Sequence, residues 1–545
     1  MNIKCDINKS ALILAISAAS SLMSGAVVAA NHPVTGEVLA SDQSFTYRLP
    51  DGIATLDPQL VSTVEGSTIV RDLFEGLLNQ DELGNAVPGV ALSYDLSEDK
   101  KTYTFHLRKS NWSNGDPVTA HDFVYAWRRA IDPATASPYV WYMEIMGIKN
   151  GKAILNDGMD PNALGVEAVD DYTFRVTLDA PIPYFPSMVT RATTFPTHRA
   201  TVEKFGDEWT RPENIVSNGA YKLTNWTLKE KSIRERNSEY WNNSETILEK
   251  VTALVIDDEN QALLRYKAGD LDKTNIPAGQ YASLEKTNPS EAYSLPRLCN
   301  YYYGFNLSDN GPEAFKDVRV RKALSYALDR NVIVKNVMKG GEPPAYTFTP
   351  TATLGFKAPY IDYAQWPQKQ RDAEAVKLLA EAGYGKSNPL KFEMLYNTSE
   401  SHKKVATVIS QMWKQKLGVQ AVLVNQEWKT FLDSRTKQAF ELTRGAFCGA
   451  YNEASTFLDL ATSKANYNYG KWKNNEVDRL MEEAKTSADP SANYTQVERL
   501  MSEEMPVIPV YFFAGTYMIH DTLKGWPTEN IQQITYSREF YKTAE

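Results

Sequence analysis

The sequence predicts a mixed α/β protein built from interwoven domains, and three observations carry that prediction. Segments that alternate apolar and polar residues are interspersed with segments of helical period. The chain of 545 residues is far longer than one ordinary domain. No long low-complexity segment, Gly/Ser linker or fixed-period repeat divides it, so the backbone is expected to cross between domains more than once.

The N-terminus reads as a cleavable export signal. Lys4 and Lys9 give a basic start, an apolar stretch runs from Ala11 to about Met23, and small residues lead to Val28-Ala29-Ala30. The apolar core falls short of the ~18–20 residues that cross a bilayer, and no later run reaches that length. A membrane anchor is the alternative reading. Cys5 lies far upstream of the expected cut, so no cysteine is available to carry a lipid.

Further along, Tyr103-Thr104-Phe105-His106-Leu107 and Tyr172 to Leu178 alternate as half-buried strands do. Between them Thr119 to Arg129 predicts a helix with a hydroxyl cap and Asp122 in its first turn. Ala375, Leu378, Leu379 and Ala382 form a helical stripe stopped by Gly383. Val405, Val408, Ile409 and Met412 form another, stopped by Gly418. Leu432 to Phe440 leads into a predicted strand at Glu441 to Phe447.

Hydrophobic content of 43% supports large cores, and 23% charged residues is ordinary for a globular chain. Net charge is −9, and the signal carries two lysines against one aspartate, so the mature chain is one charge more negative still. That balance argues against nucleic acid and anionic membrane as partners. The 30 tyrosines and 11 tryptophans suit a wet cleft as well as a core, because each joins an apolar body to a polar tip. Removing the signal leaves Cys299 and Cys448, which in an oxidising compartment predicts one disulfide, with two buried thiols as the alternative.

Catalytic chemistry is not in evidence. The six histidines (His32, His106, His121, His198, His402 and His520) form no H-E-x-x-H pair and no other metal-ligand spacing. There is no G-x-S-x-G elbow and no phosphate-binding Gly-rich loop. His106 falls on the polar side of its strand, and His121 near a helix start reads as structural or capping. The paired acids Asp257-Asp258 and Glu503-Glu504 read as solvated faces. The expectation is no enzyme, no metal and no cofactor.

Several segments together resemble the family 5 extracellular solute-binding proteins, in particular the oligopeptide-binding proteins of Gram-negative bacteria. They are Leu56-Asp57-Pro58, Arg71-Asp72-Leu73-Phe74-Glu75-Gly76-Leu77, the run from Trp112 to Phe123, and Asn218-Gly219-Ala220-Tyr221. Asp317 to Leu324, Leu395 to Ser399 and Asn425 to Thr430 continue the resemblance in family order over nearly all of the mature chain. It implies the two-lobed periplasmic binding protein fold of class II, or cluster C, with an extra domain on the first lobe. After a signal at 1–30, the first lobe would comprise 31–74, 199–298 and 517–545, the accessory domain 75–198, and the second lobe 299–516. The resemblance also implies a monomer in the Gram-negative periplasm, delivering peptides to an inner-membrane ABC permease. It pairs Cys299 with Cys448.

A receptor for varied peptides must satisfy what all peptides share, their backbone groups and their two charged ends. The resemblance places backbone contacts at Val64, Ala446 and Cys448, and makes Trp428 and Phe447 pocket walls, Phe447 standing where tryptophan is usual. It sets Arg435, Arg444 and His402 toward the ligand's carboxyl end, where a guanidinium fork pairs bidentately with a carboxylate. By residue type alone the arginines also fit ion pairs, Trp428 an ordinary core, and His402 a solvent-facing helix start. The departure is Ala450, which occupies the family position of the aspartate that holds the peptide's α-ammonium; the next acid is Glu453. Arg297 stands at a position often aromatic, and its type alone favours an exposed loop charge. The ligand is therefore expected to be a peptide with altered recognition at its N-terminal end, or else an acidic or amine-blocked species such as a cell-wall (murein) peptide. A secreted chaperone or enzyme is the alternative from another class.

Overall fold

The computed structural model describes residues 30–544 apart from 51, 466 and 488. The signal read at 1–30 therefore lies outside the described residues save its last position. Among the described residues no helix is long and apolar enough to cross a membrane.

Strand β1 (Ser44–Leu49) is followed by a short hairpin of β2 (Leu78–Gln80) and β3 (Ala86–Pro88). Next come β4 (Ala91–Leu96), β5 (Thr102–Leu107), β6 (Val166–Asp170) and β7 (Thr173–Thr177), an antiparallel sheet in the order β4-β5-β7-β6. The expected alternation holds there: Tyr103, Phe105 and Leu107 point into the core while His106 faces Asp95 at 2.8 Å. The helix Ala120–Ile131 packs on this sheet, started by Thr119, whose backbone N–H donates to Asp122 Oδ2 at 2.8 Å. His121 is no cap; its Nε2 lies 3.5 Å from Asp171 Oδ1 at the surface.

Nine further strands join β1 in a second, ten-stranded sheet. They are β8 (Tyr221–Thr227), β9 (Lys231–Arg236), β10 (Lys250–Val255), β11 (Lys273–Asn275), β12 (Ala292–Phe305), β13 (Lys391–Asn397), β14 (Gln420–Gln426), β15 (Leu442–Cys448) and β16 (Val507–Ile519). The order is β14-β13-β15-β12-β16-β11-β1-β10-β9-β8. The long antiparallel pair β12 and β16 stands in the middle and joins two halves. One half, with β1 and β8 to β11, shares a core with the small sheet through residues such as Phe45, Leu73, Trp127 and Phe185. The other, with β13 to β15, has its own cores around Tyr301, Trp413 and Val510 and around Phe457 and Val497. Its helix Glu400–Leu417 begins at Ser399, whose hydroxyl accepts from the His402 N–H, and stops at Gly418, where φ is 75°.

Pairing of β12 with β16 is interrupted between Pro296 and Asn300. Pro296 has no N–H to contribute to a ladder, and the Leu298 N–H donates to Ile531 O at 2.6 Å instead. Arg297, Leu298 and Cys299 therefore sit on an irregular stretch where the two halves meet.

Of the paired acids, Asp257, Asp258 and Glu503 are exposed, as expected, and Glu504 is half-buried. Asp258 caps the helix Glu259–Lys267 by accepting from Gln261 N–H at 2.7 Å. Glu504 accepts from Trp472 Nε1 and Asn474 Nδ2, each at 2.7 Å. Glu504 departs from the expected solvated face because tertiary bonds take its carboxylate, whereas Asp258 caps its helix and stays exposed.

Candidate functional site

Strand β15 is paired with β12 along its whole length, Cys299 opposite Cys448 and Phe305 opposite Leu442. On its other side β13 pairs only with Leu442 and Thr443. From Arg444 to Cys448 that edge is open. Peptide groups alternate in direction along a strand, and Phe447 N–H points toward β12, donating to Asn300 Oδ1 at 3.0 Å. The N–H and C=O groups of Ala446 and Cys448 thus point the other way, to the free edge. This is where an extended chain adds to a sheet.

Two guanidinium groups flank the edge. Arg444 is 7% exposed; its Nη1 donates to Asn397 Oδ1 at 3.2 Å and it stands 5.1 Å from the ring centre of Tyr301. Arg435, on the helix Trp428–Thr436, is 6% exposed, 4.1 Å over the Tyr469 ring and 3.5 Å from the Tyr302 hydroxyl. Neither has a carboxylate partner among the described residues, and the Nε of each is buried without a hydrogen bond. His402 lies beside them, Nδ1 3.5 Å from the Tyr301 hydroxyl. Burial first, then the Arg444 charge, lowers its pKa to about 4, so the ring is neutral at ordinary pH. The readings of the arginines as surface or ion-pair residues and of His402 as solvent-facing are not what the fold shows.

Trp428 opens its helix 50% exposed and stacked over Phe431 at 5.8 Å, and so is not ordinary core. Phe447 is half-buried, its ring edge-on to Phe457 at 5.6 Å. Cys448 is bonded to Cys299, with Cα atoms 4.0 Å apart. Beyond it, the Ala450 N–H donates to Thr456 Oγ1 at 3.1 Å. Glu453 offers no substitute for the missing acid: its carboxylate accepts from the Ser455 N–H at 2.8 Å and from the Ser455 hydroxyl.

The first half contributes Val64, 59% exposed at the start of the helix Val64–Leu73 behind the Thr63 cap. Arg297 is half-buried on the β12 irregularity, not out on a loop. Its charge is felt by Lys273, which burial lowers to a pKa of about 8 and which lies 4.4 Å over the Tyr517 ring. Within the first half the Tyr139 hydroxyl donates to Ser62 O at 3.3 Å and Arg191 lies 4.2 Å over Tyr139. Across the halves, Arg191 Nη1 is 3.5 Å from Ala450 O. Tyr184 stacks on Tyr451 at 4.7 Å. Sequence reasoning missed Arg71 and Arg191. Arg71 had a signal, since it follows Val64 by seven residues and so shares its helix face; Arg191 had none.

A family model for bacterial extracellular solute-binding proteins, family 5 (middle), matches residues 85–469. The periplasmic murein peptide-binding protein MppA of Escherichia coli is 42% identical, over 93% of this chain and 94% of that protein. The periplasmic oligopeptide-binding protein OppA of the same organism is 41% identical over 97% and 98%, and its probable deoxycholate-binding periplasmic protein YgiS 40% over 96% and 97%. Among solved structures, the unliganded open form of MppA superimposes with a TM-score of 0.88 at 41% identity, covering 94% of this chain and 99% of that one. Haemophilus influenzae OppA in complex with the peptide RPPGFSPFR gives 0.70 at 40% identity, over 93% and 100%. The two-lobed fold is thus that of these proteins.

Proposed function

Because this chain belongs to the bacterial extracellular solute-binding proteins of family 5, we propose that it is a periplasmic receptor that captures peptides between its two halves for an ABC importer. The observation that carries this reading is the free edge of β15 beside two buried arginines that lack a carboxylate. The ligand backbone pairs with Ala446 and Cys448 on one side and meets Val64 on the other. Its C-terminal carboxylate is held by Arg435 and Arg444, and Trp428 and Phe447 wall its side chains. Closure bends the long pair β12 and β16, a hinge motion the handling of ligands by such receptors requires. The receptor works as an exported monomer, and no step of this reading makes or breaks a covalent bond.

Native mass spectrometry of protein purified from its host tests the reading. A ladder of mixed peptides of similar length is the expected result; one defined amine-free species would shift the ligand class, and no ligand from any peptide mixture would remove the reading. A second reading, an acidic or amine-blocked ligand such as a murein peptide, is favoured by Ala450 and by the occupied Glu453 carboxylate. The relatives named for murein peptide and for deoxycholate are about as similar as the oligopeptide binder.

A carboxylate arriving beside His402 stabilises its protonated form and raises its pKa from about 4. Without ligand, the depressed pKa means that the native state gains no proton from His402 as pH falls below the unfolded value, so its contribution to stability falls from there down to about 4. Binding below neutral pH should therefore take up protons, and affinity for free-acid peptides should rise as pH falls toward 5. Calorimetry in buffers of different ionisation enthalpy reads this uptake, which His402→Gln should abolish.

A further inference from the structure

Arg71 is a buried cation with nothing to pair with. It is 8% exposed, its Nε has no hydrogen-bond partner, and no carboxylate lies within ion-pair reach among the described residues. Its sequence neighbour Asp72 is taken: Arg234 Nη1 stands 2.6 Å from it, and the Ser537 N–H and hydroxyl donate at 3.0 and 2.8 Å. Burial lowers the Arg71 pKa, and the charge of Arg191 acts in the same direction. Arg191 is likewise without a carboxylate; its guanidinium rests on Tyr139 and reaches the Ala450 carbonyl. Two like charges, Arg71 buried and Arg191 half-buried, with no ion-pair partner among the described residues, are unfavourable until an anion joins them.

The place is informative. Arg191 touches the backbone of Ala450, two residues beyond the Cys448 end of the free strand edge, and Arg71 shares a helix face with Val64. We propose that Arg71 and Arg191 form an anion subsite at the Ala450 end of the cleft, which takes a carboxylate on the ligand instead of a free ammonium. The inference rests on the reading of the cleft as a site for peptide-like chains. The favoured ligand carries a carboxylate at each end: one on Arg435 and Arg444, the other on Arg71 and Arg191. An ordinary α-ammonium meets two cations there and no acid.

The test compares trialanine with N-succinyl-trialanine by titration calorimetry on ligand-free protein. The succinyl peptide should bind wild type tighter by about thirtyfold or more, the scale on which one buried charge contact is gained or lost. Arg191→Gln should remove most of that preference. Ala450→Asp should reverse it, because the new carboxylate fills the subsite, and should raise the Tm of the ligand-free protein by giving Arg191, which already touches the Ala450 carbonyl, a carboxylate partner. Tighter binding of the free amine by wild type, or an unchanged preference in both variants, overturns the proposal. If neither peptide binds, it is the peptide reading that falls, and the subsite is then judged on the ligand-free protein alone. A Tm that Ala450→Asp leaves unchanged or lowers overturns it.

Discussion

Replacing Arg435 or Arg444 with glutamine should lower affinity for free-acid peptides by about thirtyfold to several-thousandfold, and replacing both should abolish measurable binding. The expectation follows from what each guanidinium lacks. Both are buried to above nine-tenths, both rest on tyrosine rings, and neither has a carboxylate among the described residues. A ligand carboxylate placed between them gains charge-assisted bonds from two planar forks in a site largely removed from water. Lysine at either position keeps the charge but not the fork and should recover only part of the loss. Stability discriminates this account from a structural one. Removing an uncompensated buried charge relieves a cost, so the Tm of each ligand-free variant should hold or rise. C-terminally amidated peptides should bind wild type weakly and lose little further in the variants. An equal loss for amidated and free-acid peptides would mean that the arginines shape the cleft without holding its ligand.

Local chemistry made much of the fold legible. Alternation at 103–107 reports which face of β5 meets a core, and Gly418 marks the end of its helix because a left-handed turn is a short-range event. The resemblance supplied Ala446 and Cys448, and their outward-pointing peptide groups follow from the parity set by Phe447 and Asn300. What stayed hidden depends on partners distant in sequence. The free edge of β15 exists because β13 stops pairing at Thr443, a property of how two strands diverge. Glu504 looked solvated because adjacency says nothing about which indole lies opposite. Arg71 looked like part of a family segment; its isolation emerges only once Asp72 is seen bound to Arg234. Charge type is readable from a chain, whereas charge compensation is a tertiary fact.

Removing the disulfide, by Cys299→Ser with Cys448→Ser, should lower the unfolding free energy by up to about 5 kcal/mol, the chain-entropy value for a loop of this length. The bridge closes 149 residues, which hold β13, β14 and most of the second half's helices. Reduction therefore frees the unfolded chain of that half above all, and its transition in urea should move to lower concentration while that of the first half stays in place. A functional loss should accompany it. At the bridge β12 has just left β16, since their pairing resumes only at Asn300. The end of the free edge is then held to β12 by the bridge, by Phe447 N–H on Asn300 Oδ1, and by Gly449 N–H on Leu298 O at 2.8 Å. Two hydrogen bonds contribute about 1 kcal/mol each net, much less than the bridge, so Cys448 should fray while Arg444 to Ala446 remain ordered on β12. Peptide affinity should fall less than it does in the arginine variants, because the carboxylate site survives and one backbone contact is loosened. A urea midpoint that does not move in the double serine variant would locate the stability of the second half in its cores alone. An affinity loss as large as that of Arg444→Gln would mean that the strand edge, and not the arginine pair, dominates capture.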